Sequence, residues 1–332
     1  MKFNKSVANG GHSLQQGVTM KAKQRFFISS VLTIAMAVTT AQAFWGDQKA
    51  NQSTSQATTS PNIVVSIKPI HSIVSALTQG VSTPTLLLNA NQSAHHAHLK
   101  PSQISQLEKA DLVVIVHPDF EEGLAKSIRN IQADKVLTVD QSEDEQGHEH
   151  EHEHEHEHKH AGSVNHHSWL NIKDMRGFIQ ALSQRLIKID PKNKAIYLAN
   201  LDTLKHKLDE LQDTTQQQLS SYTNQPLMTY NNAFEHFVEN YKLKSIGRVS
   251  RQHEGEISIF KVLKAKEAIK EHKAHCLLLT TDVTQKRINT IVEGLNINTA
   301  KVDIMGFDIK PGVDHYPQLI QNIANEVEQC LK

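Results

Sequence analysis

Asn62–Leu77 reads NIVVSIKPIHSIVSAL. Its first part, Asn62–Ile67, is a short β-branched apolar run, the signature of a strand buried on both faces. Its second part, Pro69–Leu77, carries a helical pattern. A strand that gives way at once to a helix opens a βαβ unit. The rhythm continues through strand-like Pro84–Leu88 (PTLLL), Asp111–Val116 (DLVVIV) and Lys135–Val139 (KVLTV), with helical patterns over Pro101–Lys109 and Phe120–Ile131 between them. Pro101 suits the first position of a helix, where its missing N–H costs nothing.

The second half repeats the rhythm. Strands are expected at Leu227–Tyr230, Ser245–Val249, Cys276–Thr280 and Ala300–Ile304, and helices at Ala233–Tyr241, Ile259–His272, Val283–Glu293 and Tyr316–Leu331. Between the halves Tyr197, Leu201, Leu204, Leu208 and Leu211 recur at alternating spacings of four and three. That places one apolar stripe along a helix from Lys192 to Ser220, roughly 40 Å long at about 1.5 Å per residue. The fold class is therefore α/β: two (βα)-repeat domains with mainly parallel sheets, joined by a long rigid linker helix. The lobes are expected at 61–190 and 223–332, with the linker at 191–222. In open α/β sheets ligands bind beyond the carboxyl ends of the strands, so two such sheets place a ligand in the cleft between them.

The amino terminus points to export. Lys21, Lys23 and Arg25 precede an apolar stretch, Phe26–Val38, and Ala41-Gln42-Ala43 has the small-x-small form of a cleavage site. A signal peptide over 1–43, with Met20 as the true start, is expected, followed by a polar, disordered leader at 44–60. No Cys follows the cleavage point, so no lipoprotein anchor is expected, and no transmembrane helix remains. Lys+Arg and Asp+Glu both number 35, which removes the charge argument for nucleic acid. The two cysteines, Cys276 and Cys330, read as one disulfide in an oxidising compartment; the rival is a Cys-based metal site. No Gly-rich phosphate loop and no G-x-S-x-G motif is present.

His148–His160 reads HEHEHEHEHEHKH, with imidazoles at His148, His150, His152, His154, His156, His158 and His160. The run has no apolar side chain and cannot build a core. Neutral imidazole is the commonest zinc ligand and also suits copper and nickel. A solvated acidic loop or an engineered tag are the bland alternatives to a metal-collecting loop spanning 141–166.

Other histidines follow strands. His95, His96 and His98 fall in the loop after Leu88; His166 and His167 precede Trp169-Leu170; His117 ends a strand. Asp303 lies in a strand-like apolar run, where a buried carboxylate needs a partner such as a metal. His206, His272 and His275 read as helix-surface residues.

With these residues in place the chain resembles the zinc-specific solute-binding proteins of ABC uptake transporters, the ZnuA family, over Asn62–Lys332. Ser66-Ile67-Lys68-Pro69-Ile70-His71-Ser72 resembles the family's opening strand and turn. Ser93-Ala94-His95 with Leu99-Lys100-Pro101-Ser102 is similar to its first ligand motif, with Ala94 where the family prefers Pro. Ala110–Val114 matches its next strand, the His-rich insertion lies where zinc members carry theirs, and His167-Ser168-Trp169-Leu170 is similar to its H-x-W-L. The resemblance implies His95 and His167 as metal ligands, Asp303 at a metal-ligating Asp position, and a Cys276–Cys330 disulfide. One departure stands out. Tyr230-Asn231-Asn232-Ala233-Phe234 occupies the family's F-H-D-A-[YF] stretch, so Asn231 replaces the third His ligand, and an amide oxygen is a weak zinc ligand beside imidazole. His117 is a candidate substitute; His96, His98, His236 and Glu235 are others.

The resemblance implies a non-enzymatic, monomeric periplasmic protein that binds Zn2+ with high affinity and hands it to an ABC permease in the inner membrane. The alternatives are a periplasmic zinc buffer or chaperone, or a relative that binds Mn2+, iron or another divalent metal. A metallohydrolase is disfavoured because no paired general base accompanies the ligands.

Overall fold

The computed structural model of the chain describes residues 60–88, 92–140, 164–250 and 258–332. The expected signal peptide, the leader and the His/Glu run lie outside the described residues. The first sheet contains β1 (Ile63–Val65), β2 (Thr85–Leu86), β3 (Leu112–Ile115) and β4 (Val136–Thr138) in the order β2-β1-β3-β4. The second contains β5 (Leu227–Thr229), β6 (Ser245–Arg248), β7 (Cys276–Thr280) and β8 (Asn298–Val302) in the order β6-β5-β7-β8. Every pairing is parallel, with Val64 opposite both Thr85 and Val113, and Met228 opposite Leu277. The two sheets share one strand order, and in each the order of strand addition switches side between its first and third strands, the place where such sheets open a crevice.

Helices α1 (Lys68–Leu77), α2 (Pro101–Glu108) and α3 (Glu122–Ile128) accompany the first sheet. Helix α4 (Ile172–Ile189) is an addition to the expected elements. Asn171 caps it by accepting the Lys173 N–H, and Ile172, Met175, Phe178, Ile179, Leu182 and Leu186 form its buried stripe. Helix α5 (Lys194–Leu219) is the expected long helix, 26 residues against the slightly longer span read from the sequence. Its buried stripe runs Tyr197, Leu201, Leu204 and Leu208, then passes to Gln212, Thr215 and Leu219 instead of Leu211. Gln212 is tolerated there because its side-chain oxygen accepts the Asn240 amide N–H at 2.8 Å. Helices α6 (Glu235–Asn240), α7 (Ile259–His272), α8 (Gln285–Val292) and α9 (His315–Leu331) complete the second half. Ser258 and Thr284 cap α7 and α8 through the N–H groups of Lys261 and Arg287.

One buried apolar cluster joins β1 and β3 to Leu227, Leu278 and the inner face of α9. A second cluster, with Met228, Leu277, Leu279, Ile269 and Ile288, covers the opposite face of the second sheet. Alternate residues of β7 thus feed different cores, as the two-residue period of a strand requires. Each fully buried Leu or Ile contributes about 1.5–3 kcal/mol relative to exposure. Cys276 on β7 and Cys330 on α9 form the expected disulfide, which ties the last helix to the sheet. No helix among the described residues is long and apolar enough to cross a membrane.

Candidate metal centre

The residues at issue follow strand ends, as parallel α/β geometry favours. His95 lies in the loop after β2, His117 two residues beyond β3, Asn231 two beyond β5, and Asp303 directly after β8. A cavity of about 350 Å³ is lined by His95, His167, Asp303, Asp282, Phe120 and Thr280, among others. The structure thus brings together three of the sequence-derived residues.

His95 is half-buried, with its ring edge-on to Phe120 at 4.4 Å and 6.2 Å from the His167 ring. Its loop lies close against α3 because position 123 is glycine; a Cβ there would collide with the Ala97 carbonyl. His167 is buried, and its Nδ1–H donates to the Asn165 side-chain oxygen at 2.8 Å. That bond fixes the tautomer that places the lone pair on Nε2, the orientation device common behind metal-bound histidines. Asn165 is itself held by the Asn232 carbonyl at 2.8 Å.

Asp303 is not inside a strand, because β8 stops at Val302. Its carboxylate folds back on the following turn, Oδ1 accepting the N–H groups of Met305 and Gly306 at 2.9 Å and Oδ2 that of Phe307 at 2.6 Å. The partner expected from burial is therefore supplied in part by backbone. Gly306 has φ +66°, and a Cβ there would strike the His315 ring, so the turn requires glycine. The buried Lys68 ammonium of α1 holds the same turn from the other half of the chain, donating to the carbonyls of Gly306, Phe307 and Ile309 at 3.3, 2.7 and 3.2 Å. Trp169 completes the frame. Its ring stands 5.1 Å from His167 and its indole N–H donates to the Ile304 carbonyl at 3.0 Å.

Asn231 is fully buried and is not among the cavity-lining residues. Its side-chain oxygen accepts the Ala233 N–H at 3.2 Å, and its amide N–H donates to Thr280 Oγ1 at 3.4 Å. His117 stands in a different place: its ring stacks on His166, centroids 4.2 Å apart. Burial first, then the neighbouring His166, lowers its pKa, while Asp119 and Asp140 pull the other way. His236 meets the Asp174 carboxylate and the Asn165 carbonyl with its two ring nitrogens. Burial lowers its pKa, but those two acceptors outweigh burial and the net shift is upward; both ring nitrogens are already engaged by Asp174 and Asn165. Glu235 pairs with Arg248 and Asn165. His96 and His98 are exposed.

Asn165 and Asp282 belong to the site without any mark in the sequence. A lone Asn shortly after the His/Glu run, and an Asp in a turn before α8, carry no motif; only the fold brings them to the site.

Two parallel sheets of one strand order, a long helix between them, and imidazole and carboxylate groups gathered at the strand ends define an α/β binding protein with a metal-suited cavity. The chain belongs to the ZnuA family: the family model for zinc-uptake complex component A, periplasmic, matches residues 63–330. The chain is 31% identical over 288 residues to the high-affinity zinc uptake system protein ZnuA of Haemophilus ducreyi, covering 81% of this chain and 93% of that one. Its fold is that of the periplasmic zinc binding protein TroA from Treponema pallidum (TM-score 0.65, 16% identity, 82% and 99% covered). It is also that of a Mn-bound periplasmic metal binding protein from Candidatus Liberibacter asiaticus (TM-score 0.68, 16% identity, 82% and 100% covered). The family consists of solute-binding transport components, not enzymes.

Proposed function

We propose that the chain is a periplasmic protein that captures Zn2+ and delivers it to the permease of an ABC importer in the inner membrane. The observation that carries this reading is the convergence of His95, the tautomer-fixed His167 and Asp303 on one cavity. Two imidazoles and a carboxylate are a zinc-type donor set with room for a further ligand. The names of the relatives support zinc as cargo. The protein acts as a monomer, exported by the signal ending at Ala43, and the His/Glu run gathers metal at low affinity beside the cavity, raising its local concentration. Because His95 belongs to the first lobe and Asp303 to the second, an ion links the two. Lys68 and the long linker helix restrict the motion that accompanies capture to small shifts.

A second reading has one observation in its favour. Asp282 adds a second carboxylate to the cavity, and oxygen-richer sites suit harder ions such as Mn2+. The test is growth of a strain lacking this chain in chelator-treated medium, with metals restored singly. Poor growth rescued by micromolar zinc, and by the intact gene but not by a His95→Ala/His167→Ala version, supports zinc delivery. Rescue by manganese alone supports the second reading, and normal growth without added metal contradicts uptake altogether.

A further inference from the structure

A second cluster of ligand-type side chains lies outside the lining of the cavity. His117, two residues beyond β3, Asp119 and His166 bring one ligand atom each to within 4.8 Å of one another. None of the three lines the cavity of His95 and His167. We propose that His117, Asp119 and His166 form a second metal site, separate from the cavity, for a first-row divalent cation of the zinc, nickel or copper type.

The donor set carries the argument. Two imidazoles and one carboxylate are what borderline divalent cations select, whereas harder ions prefer all-oxygen cages. His166 is already oriented as a ligand. Its Nδ1–H donates to Asp140 Oδ2 at 2.9 Å, which leaves Nε2 as the lone-pair nitrogen. A carboxylate behind a ligating imidazole is the usual outer partner of a metal-bound His. The Asp119 carboxylate is exposed, 3.8 Å from His117 Nδ1, and swings at little cost. His166 and His167 are consecutive, so adjacent rings serve different sites.

The geometry also dictates what must move. The rings of His117 and His166 are parallel to within 8° with centroids 4.2 Å apart. An imidazole lone pair lies in its ring plane, so two parallel stacked rings cannot face one ion. One ring has to turn. Asp140 restrains His166 through a charged acceptor, while His117 is held by the exposed Asp119 N–H at 3.2 Å, so His117 is the ring that rotates. Metal–nitrogen bonds of about 2.0–2.1 Å in a tetrahedron require the ligand atoms to close to roughly 3.3 Å.

The test is anomalous diffraction at the zinc edge from crystals of the full chain grown with two molar equivalents of zinc chloride. Position separates this ion from any other bound by the chain. The expected result is a peak bonded to ring nitrogens of His117 and His166, with the two rings no longer parallel, in addition to any peak at His95 and His167. His117→Gln should abolish only the former, and the exposed Asp119→Asn should lower its occupancy by at least half. Should His117→Gln fail to fold, Asp119→Asn keeps the test intact. The proposal is overturned by no peak at this position, by a peak that survives both substitutions, or by a peak that needs millimolar zinc.

Discussion

Asp303→Asn separates two duties of one carboxylate. Three backbone N–H groups already bond to its oxygens, at 2.9, 2.9 and 2.6 Å. A carboxylate offers about four lone-pair positions, so about one is left for an ion. With the amide oxygen kept towards Met305 and Gly306, the amide NH2 of the variant faces the Phe307 N–H, donor against donor. One hydrogen bond to a charged acceptor, about 1.5–3 kcal/mol, is lost. Asp303 is half-buried, so the lower part of that range applies, about 2 kcal/mol. For a chain of this size each kcal/mol moves the melting temperature by about 2–4 °C, which gives a fall of about 5 °C. Calorimetric melting in chelator reads this contribution without metal. Chelator-competition titration then reads the other, where the weaker amide donor should raise the zinc Kd at least tenfold, about 1.4 kcal/mol. His95→Ala is the control: a similar loss of affinity with a smaller thermal loss. An unchanged metal-free melt would refute the turn-holding duty, and an unchanged zinc Kd would refute the ligand duty.

Asn231→His should place an imidazole beside Thr280, which lines the cavity, and raise zinc affinity at least tenfold by the same competition assay; no gain would show that the ligand set does not lack this group. Loss of the Cys276–Cys330 bond, which spans 54 residues, should lower unfolding free energy by about 4 kcal/mol in urea titrations of the double Ala variant; a loss under about 1 kcal/mol would contradict the loop-entropy argument. Burial pushes the Glu121 carboxyl up to about 8, against the pull of Ser66 and of the Val116 and His117 N–H groups. The folded chain therefore holds a proton that the unfolded chain releases above the ordinary Glu value. This contribution is complete in acid and is lost as pH rises towards 8, by up to about 1.4 kcal/mol per pH unit. Glu121→Gln should flatten the stability profile between about pH 5 and 8; parallel urea profiles of variant and wild type would contradict this.

Much of the fold is legible in the sequence because parallel strands covered on both faces are written as unbroken apolar runs. Leu112–Ile115 and Cys276–Thr280 are such runs, and all their residues are buried. Helix α4 is the element the reading lacks. Its apolar residues have helical spacing, but Lys173, Asp174 and Arg176 dilute the stripe where it begins. The shift of the α5 stripe from Leu211 to Gln212 is equally hidden, because only the Asn240 amide makes a buried Gln acceptable. His95, His167 and Asp303 stand out by chemistry and by position after strands or before Trp169. Their shared cavity does not, since it depends on Lys68 and Trp169 holding the 304–309 turn. The separation of His117 from that cavity is likewise a tertiary fact: chain position puts both at strand ends, and only packing decides which ring each one meets.

Every prediction for the cavity depends on one zinc ion held there by His95 and His167. Isothermal titration of zinc into the wild-type chain and into the His95→Ala/His167→Ala variant tests it most directly. The tightest binding phase is expected to disappear in the variant, while weaker phases from other imidazoles remain. A tightest phase that survives with wild-type affinity and stoichiometry would contradict it.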